Sequence, residues 1–374
     1  MTDVPSGTPI STNYLIRIPE VFAPWTPEIL AACRIPGGPS ARSVTPLGPE
    51  YSLLKMPALP SPEAPAAAPD PITGTAAAPF ISWHLPIHHS WPCHPPKMEN
   101  FIEKAARTLH RKFAAANPQS IQIGPLHAGA PDRYYKSLAS NLRGRTLQLF
   151  PARQGPQSAE EQNPNLPTLF CLVGKEGLFA GLQTPRLANG FHPGGTKFVS
   201  QGAAGTISRA GAKIAEALHY LLLHRPALPE GSHWLELGAS PGGMTSELLN
   251  RHFRVTALDR AALDPRLNKA PGLTFAKADV ATWTPPPATR YDALLCDMNG
   301  EPRQALRQVI RLASFLRPGA LLVFTLKTPG ASTFQAISEA IRLTLRDASQ
   351  ANLTLIALTH LTYNRQEFTC FFET

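Results

Sequence analysis

No run of about eighteen apolar residues occurs anywhere in the 374 residues, which excludes an ordinary membrane-spanning helix. The first thirty residues have neither the basic start nor the continuous apolar segment of a secretory leader, so a cytoplasmic location is expected. Cysteine is scarce: Cys33, Cys93, Cys171, Cys296 and Cys370 are scattered without CxxC spacing, and an odd number without an export signal points to reduced thiols. His84, His88, His89, Cys93 and His94 lie close together in the chain, but their spacing fits no standard zinc site. Pro86, Pro92, Pro95 and Pro96 make the stretch loop-like, so no metal is expected. What is present is a 43% hydrophobic chain, apolar enough for real cores and long enough for two or three domains.

Charge and proline divide it further. The formal net charge is +9, and between Lys97 and Arg153 ten basic residues face only Glu99, Glu103 and Asp132. Such a segment draws a polyanion by counterion release, RNA, DNA or an anionic surface alike, or else it is a solvated helix face. Residues 56–79 are dominated by proline and alanine, without helical or alternating pattern, and read as a linker. Before it, 1–55 is a small α/β region with strands at Tyr14–Ile18 and Tyr51–Lys55 and a short helix over Pro27–Cys33 capped by Thr26. After it, over 80–200, Phe101, Ala105, Leu109 and Phe113 mark a helix, followed by strands at Ser120–Ile123, Thr168–Val173 and Gly177–Gln183.

From 201 to 374 strands and helices alternate regularly, the pattern of a mostly parallel α/β sheet covered on both faces. Strands are expected at Trp234–Leu237, Arg254–Asp259, Leu273–Ala276, Asp292–Cys296, Ala320–Leu326, Thr354–Thr359 and Phe368–Phe372, the last two as an antiparallel hairpin. This makes a seven-stranded Rossmann-like sheet. The first strand runs through Gly238, Ala239, Ser240, Pro241, Gly242, Gly243 and Met244 into a helix, a turn in which backbone N–H groups meet a ligand. Its glycines miss the GxGxxG spacing, and no Lys-Ser/Thr follows, which weakens dinucleotide and phosphate-loop readings. Asp259 ends the second strand, where an acid can accept ribose hydroxyls, and Asp279 follows the third, where it can accept an adenine amino group; either could equally be a turn residue.

Two further strands end in polar residues, at Leu-Leu-Cys-Asp297-Met and Phe-Thr-Leu-Lys327-Thr. A lysine closing a buried strand needs a partner, and Asp297 is the candidate, as a structural ion pair or as chemistry. Together with Ser-Arg-Ala-Gly-Ala-Lys213 and Tyr-Asn-Arg-Gln-Glu367-Phe-Thr, these motifs give the stretch from Ser208 onward a strong resemblance to the RrmJ/FtsJ superfamily of ribose 2'-O-methyltransferases. Within it the chain looks closest to the family M enzymes, which modify a cytidine of 23S ribosomal RNA.

The resemblance implies the methyltransferase variant of the Rossmann-like sheet and S-adenosylmethionine as cofactor, held by residues 238–244, Asp259, Asp279 and Asp297. It implies a catalytic tetrad of Lys213, Asp297, Lys327 and Glu367. It further implies a THUMP-like RNA-binding region over 80–200 and a monomer acting on free ribosomal RNA before subunit assembly. A ribose hydroxyl is a poor nucleophile, so the reaction needs in-line placement and a base, for which Lys327 is the candidate. A non-catalytic RNA-binding assembly protein, or a methyltransferase of transfer RNA or messenger RNA caps, are the alternatives.

Overall fold

The computed structural model of the chain describes residues 13–34, 41, 43–57, 70–127, 133–150, 158, 161–195, 207–328 and 330–374. The chain divides into two units, Met1–Lys197 and Phe198–Thr374.

In the first unit, apolar residues at β1 (Asn13–Arg17) begin an antiparallel sheet, with α1 (Thr26–Ala32) following. Thr26 is the first helical residue rather than its cap; Trp25 precedes it without a side-chain capping bond. β2 (Ser43–Pro46), β3 (Tyr51–Lys55) and β4 (Trp83–Pro86) complete the sheet in the order β2-β3-β1-β4. β2 is exposed throughout and ends in proline, as suits an edge strand.

β4 corrects the expected division of this half. It pairs with β1, Tyr14 opposite Pro86 and Arg17 opposite Trp83, so a boundary between 1–55 and 80–200 would cut through one sheet. The expected linker is only partly open to description, since 58–69 lie outside the described residues. Its remainder, 70–79, is folded. Ile72 and Ala77 are buried, Phe80 packs edge-to-face on Phe22, Arg34 N–H donates to Pro71 O (2.9 Å), and Asp70 Oδ2 meets His84 Nε2 at 3.1 Å. Proline-rich composition hides such docking because a few long-range apolar contacts, not local pattern, hold the segment.

A second sheet in the same unit has the order β5 (His89–Pro92), β8 (Gly177–Gln183), β7 (Thr168–Gly174) and β6 (Ser120–Pro125). The helices α2 (Phe101–Phe113) and α3 (Arg133–Leu149) bury Phe101, Ala105, Leu109, Leu138 and Leu142 against Ile121, Leu169, Cys171 and Val173. A short α4 (Pro185–Ala188) follows β8. The basic residues Lys104, Arg107, Arg111, Lys112, Arg133 and Lys136 are exposed, while Arg145 pairs with Glu103 (2.6 Å). Asp132 and Arg153 lie outside the described residues. The histidines of the early cluster are spread: His84 meets Asp70, and His88 Nδ1 accepts from Leu182 N–H (3.1 Å).

The second unit begins with α5 (Ala210–Leu221), β9 (His233–Leu237), α6 (Gly243–Asn250), β10 (Arg254–Asp259) and β11 (Leu273–Lys277). It continues with β12 (Tyr291–Cys296), α7 (Pro302–Ala313), β13 (Leu316–Lys327), α8 (Phe334–Gln350), β14 (Thr354–Thr359) and β15 (Glu367–Glu373). Its seven strands run β11-β10-β9-β12-β13-β15-β14, parallel from β11 to β13, with β15 inserted antiparallel between β13 and β14. The central strands are apolar on both faces, the signature of a sheet covered by helices. The carboxyl ends of β9, β10, β12 and β13 all open on one edge, the place where such sheets bind ligands. Among the described residues no helix is long and apolar enough to cross a membrane.

Candidate active site

The turn after β9 is shaped by what a side chain would collide with. Gly238 has φ +80°, and a Cβ there would lie 3.1 Å from Met298; a Cβ on Gly243 would lie 2.0 Å from Ser208 Oγ. The turn is tied to the neighbouring strand: Gly238 N–H donates to Leu258 O (3.0 Å), and Ser240 N–H to Asp259 Oδ2 (2.9 Å). Asp259 also accepts from Ala261 N–H (2.8 Å), so its carboxylate is oriented by two backbone donors.

A cleft of about 510 Å³ opens over this turn. Gly238, Ala239, Ser240, Pro241, Gly243 and Met244 line it, as do Asp259, Asp279 and Asp297. Gly242 does not, because its open side faces Leu267. Asp279 accepts from Ala281 N–H (2.9 Å) and from Arg260 (2.5 Å); the backbone bond first, then the arginine, hold its carboxyl below the usual range. The titratable lining is Glu236, Asp259, Asp279, Asp297 and Glu301 against Arg260 and Lys327, an acidic pocket in a chain of net charge +9. It suits a ligand carrying positive charge.

Two lysines and two carboxylates converge beside it. The register of β13 and β15 sets Lys327 directly opposite Glu367. Asp297 follows β12, next to β13, and Lys213 reaches in from α5. Lys213 Nζ lies 2.6 Å from Glu367 Oε1 and 3.1 Å from Asp297 Oδ1, and Lys327 Nζ lies 3.3 Å from the same Asp297 oxygen. The four candidate residues therefore form one connected cluster. Its members differ in access: the Lys213 side chain is 9% exposed, whereas that of Lys327 is 20% exposed and borders the cleft.

Two residues of the site escaped the reading of the sequence. Glu236 sits mid-strand on β9, 2% exposed, accepting from Thr245 Oγ1 (2.7 Å). Burial pushes its carboxyl up to about 8, the Thr245 hydroxyl acting in the opposite sense and Asp297 adding to the rise. The signal was an acid inside the apolar run Trp-Leu-Glu-Leu. Asn299, in the loop after Asp297, accepts from Lys327 Nζ (2.7 Å), and the sequence carried no mark of that contact.

Residues 206–339 match the family described as FtsJ-like methyltransferase. Over 127 residues the chain is 39% identical to Ribosomal RNA large subunit methyltransferase M of Xylella fastidiosa (strain M12), covering 33% of this chain and 35% of that protein. It is 33% identical over 171 residues to the protein of the same name from Methylococcus capsulatus, covering 44% and 47% respectively. The chain thus spans between about a third and a half of the length of these curated relatives. Among solved structures, Aeropyrum pernix fibrillarin with natively bound S-adenosyl-L-methionine aligns at TM-score 0.33 and 16% identity, over 57% of this chain and 84% of that one.

Proposed function

We propose that the chain is an S-adenosylmethionine-dependent methyltransferase of ribosomal RNA, acting in the cytoplasm on a ribose 2'-hydroxyl, most specifically a cytidine of the large-subunit RNA. The observation that carries this reading is the Lys213, Asp297, Lys327 and Glu367 cluster at the edge of the glycine-rich cleft. Methyl transfer to an alcohol needs a positioned base, whereas transfer to a nitrogen lone pair does not, and this cluster offers a lysine at the cleft for that role.

The cleft's residues fit the cofactor. The Gly238 turn in the cleft lining, the oriented Asp259 carboxylate for ribose hydroxyls, ionised Asp279 for an adenine amino group and the acidic lining for a cation all agree with it. When bound, S-adenosylmethionine supplies a methyl group on an electron-poor sulfonium. The protein does the rest. Lys213, gripped by two carboxylates, serves as a fixed cation that holds Asp297 in place. Asp297 in turn restrains Lys327. Lys327, bordering the cleft, would in its neutral form take the hydroxyl proton on Nζ. Glu367 fixes Lys213 and, through the strand register, the end of β13. The exposed basic residues of α2 and α3 would contact RNA phosphates as a THUMP-like module. The chain would act as a monomer on RNA not yet assembled into a subunit.

Lys327→Ala should lower methyl transfer by at least about a hundredfold while leaving cofactor affinity, measured by calorimetry, within about threefold. A variant with full turnover would sink the mechanism. A wild-type chain that binds RNA and cofactor but never methylates would favour an assembly role.

A further inference from the structure

Lys213 and Lys327 share one carboxylate oxygen, Asp297 Oδ1, yet the rest of their surroundings differ in kind. Lys213 has a second carboxylate, Glu367, at 2.6 Å. Lys327 has instead the side-chain amide of Asn299, whose Oδ1 accepts from Nζ at 2.7 Å, and the backbone carbonyl of Asp297 at 3.3 Å. Lys213 is thus in contact with two carboxylates, and Lys327 with one carboxylate and two neutral dipoles. The shortest contact of Lys327 is to a group that carries no charge at all.

We infer that Asn299 is a positioning residue for Lys327, fixing the direction of its amine toward the cleft through a neutral hydrogen bond that leaves the amine free to lose and regain a proton. The inference rests on Lys327 being the base of the proposed reaction. A carboxylate at position 299 would aim the amine equally well but would set a second full negative charge against it, as Glu367 does for Lys213. No side chain at all would leave the long, flexible lysine stem without its closest anchor. The remaining titratable groups around this end of β13 are Lys213 on α5, Glu236 on β9, Cys296 on β12, Glu367 on β15 and Glu301 before α7. None of them is itself replaced by substitution at 299.

Asn299 is exposed in a loop, so Asn299→Asp and Asn299→Ala should fold and melt as the wild type does. Two titrations are made on the full chain. Competitive acetylation with acetic anhydride, read at the Lys327 peptide by mass spectrometry, follows the amine without reference to turnover. Single-turnover methyl transfer against pH follows the reaction. For Asn299→Asp both midpoints should move upward together by about one to two pH units relative to wild type. Asn299→Ala should lower the rate about tenfold or more, leaving the KM for S-adenosylmethionine within about threefold. An acetylation midpoint that does not move in Asn299→Asp overturns the inference. A midpoint that moves while the rate profile stays in place overturns Lys327 as the base, and the role of Asn299 falls with it.

Discussion

Replacing Glu236 by glutamine keeps shape and an acceptor for Thr245 Oγ1 but removes the ability to ionise, and the consequence for stability follows from where the carboxyl sits. It is buried in the middle of the central strand β9, with its pKa raised from 4.5 to about 8. Between those values the folded chain holds a proton that the unfolded chain has lost, so the group costs stability as pH rises through that window. At about 1.4 kcal/mol per pH unit, the full window amounts to at most about 5 kcal/mol. Below about pH 5 wild type and Glu236→Gln should therefore differ by no more than about 1 kcal/mol, the margin of one exchanged hydrogen bond. By about pH 8.5 the variant should be the more stable by a few kcal/mol. Urea unfolding at several pH values, followed by the fluorescence of Trp234 two residues away, measures the difference. A gap between the two proteins that stays constant across the pH range would mean that the carboxyl titrates alike in both states, and that burial does not raise it.

Three further outcomes are expected. Gly243→Ala forces a Cβ to within 2.0 Å of Ser208 Oγ and 3.2 Å of its carbonyl, so the turn and the entry to α5 must part. Stability should fall by about 1–3 kcal/mol in denaturant melts, and calorimetry should show weaker cofactor binding. Lys213→Ala leaves Asp297 and Glu367 facing each other without their shared cation, each side chain about a fifth exposed. The loss should be about 2–3 kcal/mol near neutral pH, which thermal melts would read. In the first unit, burial alone would raise the Asp70 carboxyl, but His84 and Thr73 hold it well below the usual range. A depressed folded pKa contributes stability above the unfolded value of 3.8 and loses it only in acid. Asp70→Asn should thus cost about 1–3 kcal/mol at neutral pH, with little cost remaining in strong acid, as measured by melting of the full chain.

The second unit was far more legible in the sequence than the first, for a physical reason. In a covered parallel sheet each strand is an uninterrupted apolar run, and polar residues gather where the runs end; Asp259, Asp297 and Lys327 stand out at those ends. Lys213 and Glu367 were legible only through their motifs, since nothing local says that a helix upstream of the sheet and an antiparallel strand meet at one carboxylate. In the first unit, β4 joins a sheet whose other strands lie at least 28 residues earlier, and the docking of Ile72, Ala77 and Phe80 leaves no periodic trace. Glu236 was passed over because its hydroxyl partner, Thr245, lies nine residues on, across the glycine turn. Asn299 was invisible because its meaning depends on a lysine 28 residues away.

The atom that receives the methyl group can be identified directly. The purified chain, given undermethylated large-subunit ribosomal RNA and S-adenosylmethionine with a deuterated methyl group, should yield labelled nucleosides for mass spectrometry. The label is expected on a ribose 2'-oxygen, chiefly of cytidine, and should be lost in Lys327→Ala. Label on a base nitrogen or carbon, or label that persists in that variant, would contradict that expectation.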